Sequence, residues 1–108
     1  MDIQIPTLLL DGTVLALLQH QDMYGYNLTK SVQNQLPVSE STMYPVLRRL
    51  KQNNFLETYD EPFEGRNRRY YRLTEAGHTE FERIYADWQE FRDTMDKIMK
   101  GENNESLS

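Results

Sequence analysis

Between positions 39 and 52 the chain gathers hydroxyls, a phenol, guanidinium groups, an ammonium and an amide onto one side of a possible helix. At about 100° per residue, Met43, Val46, Leu47 and Leu50 make an apolar stripe. Ser41, Tyr44, Pro45, Arg48 and Gln52 fall opposite, with Thr42 and Arg49 bordering one edge of that face and Lys51 the other. Such groups donate to phosphate oxygens and to base edges. The chemistry they suit is recognition of DNA, with no bond made or broken. A merely solvated amphipathic helix would carry a similar face, so the neighbouring segments have to decide between the two.

A second basic group supports recognition. Arg66, Arg68 and Arg69 sit at the expected tip of a β-hairpin, where they suit a minor-groove or backbone probe. The groups that enzymes use are poorly placed. Cysteine is absent, which rules out thiolate catalysis, disulfides and Cys-based metal sites. His20 and His78 belong to no nucleophile or metal motif. Asp87/Glu90 and Asp93/Asp96 are i, i+3 pairs on a solvated helix face. No catalytic residue, metal ion or cofactor is therefore assigned.

Charge is unevenly distributed along the 108 residues. The formal net charge is −5, and from Glu75 onward four basic residues face nine acidic ones, which accounts for the whole excess. Residues 1–74 are neutral and hold a cluster of seven cations between positions 48 and 72. A basic surface is thus compatible with a globally acidic chain. The length suits one small domain whose core is marginal alone, which favours oligomerisation. The longest apolar runs, 8–10 and 14–18, are too short to span a bilayer. Asp2 and the lack of a basic start argue against a signal peptide, and the cytoplasm is the expected location.

The elements that must hold the polar face follow in order. Pro6 suits the first turn of a helix, and the leucines after it cover two faces, one for the domain and one for a partner. A second helix is expected over 24–35, with Tyr24, Leu28 and Val32 on its stripe, ending at Pro37. Ser39 can cap the third helix, giving the helix, short connection and capped helix of a helix-turn-helix. Pro45 requires that helix either to start near Ser41 or to bend. Strands are expected over 55–59 and 68–73, joined by a turn region over 60–67. Thr74 can cap a last helix running to about Lys100. Its Phe81, Ile84, Trp88, Phe91, Met95 and Ile98 repeat every three or four residues, the seam of a helix–helix interface. So long a stripe predicts a homodimer, with Leu8, Leu15 and these six residues at its interface.

Three segments carry a resemblance. Tyr24-Gly25-Tyr26-Asn27-Leu28, the run from Ser39 through Met43-Tyr44-Pro45-Val46-Leu47-Arg48-Arg49 to Leu50, and Gly65-Arg66-Asn67-Arg68-Arg69-Tyr70-Tyr71 on to Gly77 stand in the order and spacing of PadR transcriptional regulators. The chain resembles that family's short subclass. The resemblance implies a mainly α fold with a two-stranded β-wing. A winged helix-turn-helix DNA-binding domain would span 1–74, a C-terminal dimerisation helix 75–100 and a disordered tail 101–108. It implies a dimeric, sequence-specific regulator of transcription, most often a repressor released by a small molecule or stress signal, on a two-fold symmetric operator in double-stranded DNA. By position, Ser41, Thr42, Tyr44 and Arg48 would contact DNA, with Lys30, Lys51, Arg66 and Arg68 favouring phosphate. Trp88 matches a position where some members sandwich planar aromatic, drug-like effectors. The family's frequent Gly-Gly before the wing is Glu64-Gly65 here. The competing expectation is a winged-helix adaptor that binds protein without specific DNA binding.

Overall fold

A computed structural model of the chain describes residues 1–101, so most of the expected tail over 101–108 lies outside the described residues. The order of elements is α1 (Thr7–Leu17), β1 (Met23–Tyr24), α2 (Gly25–Gln33), α3 (Glu40–Gln52), β2 (Leu56–Phe63), β3 (Arg66–Leu73) and α4 (Glu75–Met99). The core forms where the first three helices meet. Val14 and Leu15 of α1, Leu28 and Val32 of α2, and Met43, Leu47 and Leu50 of α3 are buried there, and Leu56 of β2 closes it from the sheet side. Ile84 is the single buried large apolar residue of α4.

Both expected helix caps are present. The Ser39 hydroxyl accepts from the Thr42 N–H at 3.2 Å, and Thr74 Oγ1 accepts from the Gly77 N–H at 2.9 Å. Each satisfies a donor that the helix itself leaves unpaired. α3 ends in a Schellman arrangement. Asn54 takes a positive φ of 64°, the Phe55 N–H donates to the Leu50 carbonyl, and the Asn54 N–H donates to that of Lys51. Pro45 resolves as a residue inside α3, since the helix starts at Glu40 and runs through it. Pro45 offers no N–H to the Ser41 carbonyl, a cost that falls on the exposed side of the helix.

The sheet differs from expectation in two ways. A two-residue strand, β1, pairs antiparallel with β3, giving three strands in the order β1-β3-β2. Tyr24 therefore belongs to the sheet, and α2 begins one residue later, at Gly25. The hairpin is also longer than the sequence suggests, with Phe63 opposite Arg66 and only Glu64 and Gly65 between them. Both turn residues have positive φ, 49° and 78°, as the tightest hairpin turns require. Pro62 is tolerated inside β2 because that strand lies at the sheet edge.

α4 is anchored at its root. The Thr74 N–H donates to the Phe55 carbonyl at 3.1 Å and its hydroxyl to the Asn54 carbonyl at 2.7 Å. Gly77 lies so close that a Cβ there would fall 2.1 Å from the Phe55 oxygen. Further along, Gly12 lets α1 meet α4 closely, since a Cβ would fall 2.8 Å from Cγ2 of Ile84. Beyond this crossing no residue of α4 is buried, and the described chain measures 68 × 29 × 21 Å.

Candidate nucleic-acid interface

The geometry sorts the seven clustered cations into free and occupied ones. Arg48, Lys51 and Arg66 are exposed and form no ion pair among the described residues. Arg69 meets Asp60 at 3.5 Å, and Arg72 meets Asp22 at 3.2 Å and Glu57 at 3.5 Å. Arg49 is bonded to Asp11 of α1. Arg68 pairs with no carboxylate, but its guanidinium lies 3.4 Å from the ring centre of Phe63 and 4.6 Å from that of Tyr24. Stacking of this kind holds an arginine by its flat face. Among the wing arginines, Arg66 is thus the most freely presented and Arg68 the most restrained.

On α3 the expected polar face is open to solvent. Ser41, Thr42, Tyr44 and Arg48 are all exposed, Tyr44 by 51%. Ser39 Oγ lies 2.9 Å from Ser41 Oγ and 3.0 Å from Thr42 Oγ1, so three hydroxyls share one hydrogen-bonded cluster over the first turn. The first turn of a helix also presents unpaired N–H groups and the positive end of its dipole, a setting favourable to phosphate. Tyr44 stands near Tyr71 of β3. Burial pushes the Tyr71 phenol up, the Arg69 charge opposes this, and the Tyr44 phenol adds to it. Lys30 of α2 is exposed on the approach to this face, 3.9 Å from Glu40 and 5.5 Å from the centre of the Tyr26 ring.

The outer face of the sheet carries a network that the sequence did not reveal. Tyr24, Tyr70 and Tyr59 line up across the three strands, with ring centres 6.0 and 5.5 Å apart. Asp22 accepts from the Tyr59 hydroxyl at 2.6 Å and from Arg72, whose guanidinium also lies over the Tyr59 ring. That hydrogen bond, above all, pushes the Tyr59 phenol up. Strand alternation places Tyr70 and Arg72 on one face, but pairing them with Tyr59 and Asp22 needs the register, which the sequence leaves open.

The expected partner-facing residues separate into two groups. Leu15 and Ile84 are consumed by the protein's own core, at 0% and 2% exposed, Leu15 where the first three helices meet and Ile84 where α4 crosses α1 at Gly12. They are corrected to core residues. Leu8, Phe81, Trp88, Phe91, Met95 and Ile98 remain wholly or partly accessible. Phe81, Trp88, Phe91 and Met95, with residues of α1 and the N-terminal segment, border an apolar groove of about 860 Å³, and Ile98 lies outside its lining. His78, the histidine on α4, is occupied by Gln19 at 2.6 Å and Glu82 at 3.0 Å. Among the described residues no helix is long and apolar enough to cross a membrane.

A capped helix with a free polar face, set beside a tight basic hairpin on a helical core, defines a winged helix-turn-helix protein. Residues 14–83 match the transcriptional regulator PadR-like family. The chain belongs to that family and is a DNA-binding transcriptional regulator of the PadR type. An uncharacterised protein of Lysinibacillus sphaericus is 30% identical to it over 97 residues, covering 85% of this chain and 89% of the relative. A crystal structure from Streptococcus mutans UA159 is 32% identical, with a TM-score of 0.87, over 94% of this chain and 95% of that one. A PadR family transcription regulator from Clostridium difficile R20291 is 28% identical, with a TM-score of 0.76, over 83% and 97% of the two chains.

Proposed function

We propose that the protein works in the cytoplasm as a homodimeric, sequence-specific repressor on a two-fold symmetric operator, released by a small molecule or stress signal. The observation that carries the DNA reading is the open face of α3, where Ser41, Thr42, Tyr44 and Arg48 are exposed together, with Arg66 of the wing also exposed. The helix supplies base contacts, and Lys30, Lys51, Arg66 and Arg68 supply phosphate contacts. A gel-shift series with the protein's own upstream DNA tests this. Competition by that sequence over unrelated duplex, weakening steeply with added salt, is the expected result; no shift at low salt would sink it.

The support for a dimer is the apolar stripe on α4, with Phe91 56% and Ile98 54% exposed. Apolar patches of this extent mark interaction surfaces. Phe91→Glu is expected to convert the protein to a monomer in light scattering and to weaken operator binding about a hundredfold through lost bivalency. A dimer that survives the change would move the interface elsewhere.

Trp88 is the proposed effector contact, since it lines the groove with Phe81 and Tyr85. A planar aromatic compound seated there is expected to quench the emission of this single tryptophan saturably. A broad dye panel without saturable quenching would reduce Trp88 to packing.

A further inference from the structure

Arg49 belongs by position to the flank of the DNA face. It lies one turn after Pro45 and on the same side of α3 as Thr42. It is nevertheless held by another helix. Its Nη2 donates to Oδ1 of Asp11, in the middle of α1. The Asp11 side chain is 14% exposed and that of Arg49 38%, so the carboxylate is set in the wall between the helices and the guanidinium reaches it from the solvent side. Among the described residues no other carboxylate lies within 4 Å of Arg49. Asp11 is itself held in place, because the adjacent Gly12 is pressed against Ile84 of α4. The nearby carboxylate of Glu80 is taken by Arg83 at 2.8 Å.

Stability is a poor explanation of this pair. Burial pushes the Asp11 carboxyl up, while the charge and hydrogen bond of Arg49 draw it back. In partly buried pairs desolvation offsets much of the attraction, and the net gain is small. The consequence for charge is larger. Sequence-independent DNA binding comes almost wholly from cations that displace counterions from phosphates. A guanidinium on the flank of the DNA face would join that set unless something neutralised it.

We propose that Asp11 is a positioning residue that withholds Arg49 from DNA phosphate and so holds down the affinity for non-operator sequences. The inference rests on reading the exposed face of α3 as the DNA surface. The effect is greatest on non-operator DNA, where no base contacts fix the docking and any mobile cation can find a phosphate.

The test compares full-length wild type with Asp11→Asn on a scrambled duplex lacking the operator. Freeing one cation is expected to steepen the slope of log affinity against log salt by about 0.9. The gain over wild type should then be roughly three- to fourfold larger at about 50 mM than at about 200 mM salt. Adding Arg49→Gln to Asp11→Asn should return the slope to the wild-type value, which a general loosening of the fold would not do. An unchanged slope in a variant with wild-type circular dichroism and melting overturns the proposal, as does a uniform loss of affinity. Arg49→Gln alone gives an independent reading that leaves Asp11 intact. It should leave the wild-type slope on scrambled DNA unchanged, and a slope shallower by about 0.9 would mean that Arg49 already contacts phosphate, against the proposal. Failure of wild type to bind any duplex at low salt would instead remove the DNA-face reading and this inference with it.

Discussion

Arg48→Ala is expected to weaken binding to the operator by roughly ten- to a hundredfold, the value of one good bidentate base contact. Binding to unrelated duplex should fall only about fourfold at about 200 mM salt, the effect of one lost phosphate-competent cation. The asymmetry follows from position. Arg48 lies on the solvent side of α3 with no carboxylate to compete for it among the described residues, one turn beyond Tyr44. Arg66→Ala provides the contrast. Gly65 next to it has nothing within 4 Å of where a Cβ would sit, so the wing tip is open and its contacts should be indifferent to sequence. Fluorescence anisotropy titrations on operator and scrambled duplexes read both ratios. Equal losses for Arg48→Ala on the two sequences would take base readout away from this residue.

Gly77→Ala should cost at least about 3 kcal/mol of folding stability. The added Cβ would meet the Phe55 oxygen at 2.1 Å and the Leu73 Cδ1 at 2.8 Å. The first of these is backbone, and that same carbonyl already accepts from the Thr74 N–H, so it cannot retreat without breaking the α4 cap region. For a domain of this size such a loss lowers the melting midpoint by more than about 10 °C. Thermal and urea denaturation followed by circular dichroism measure it. A cost below about 1 kcal/mol would show that the start of α4 can shift away from the helix–strand connection.

The features legible in the sequence were those set by local chemistry. Ser39 and Thr74 announced their helices because a hydroxyl before an amphipathic run has few other uses. The stripe of α3 followed from Met43, Val46, Leu47 and Leu50 alone. What escaped depended on distant partners. Nothing local distinguishes Arg49 from Arg48, and only the packing of α1 brings Asp11 to one of them. Tyr24 continued the stripe of α2 by spacing, but a strand partner in β3 drew it into the sheet. Leu15 and Ile84 obeyed the interface periodicity too, because a helix presents one continuous stripe whether its own domain or a neighbour covers it. The hairpin is longer than expected because Pro62 and Gly65 signal a turn without fixing its length, and the cross-strand pairs of the wing extend to Phe63 and Arg66.

α4 divides its apolar stripe between two tasks. Ile84 belongs to its own domain, and Trp88, Phe91, Met95 and Ile98 lie beyond it along the same helix. Each residue of helix adds 1.5 Å of rise and 100° of rotation, so the phase between Ile84 and Phe91 fixes the angle at which a second copy would present its own α3. In the proposed dimer, one residue inserted between them would turn the second reading head away from its half-site without altering any residue of the DNA face. The spacing of operator half-sites would then be encoded in the phase of a helix that never touches them.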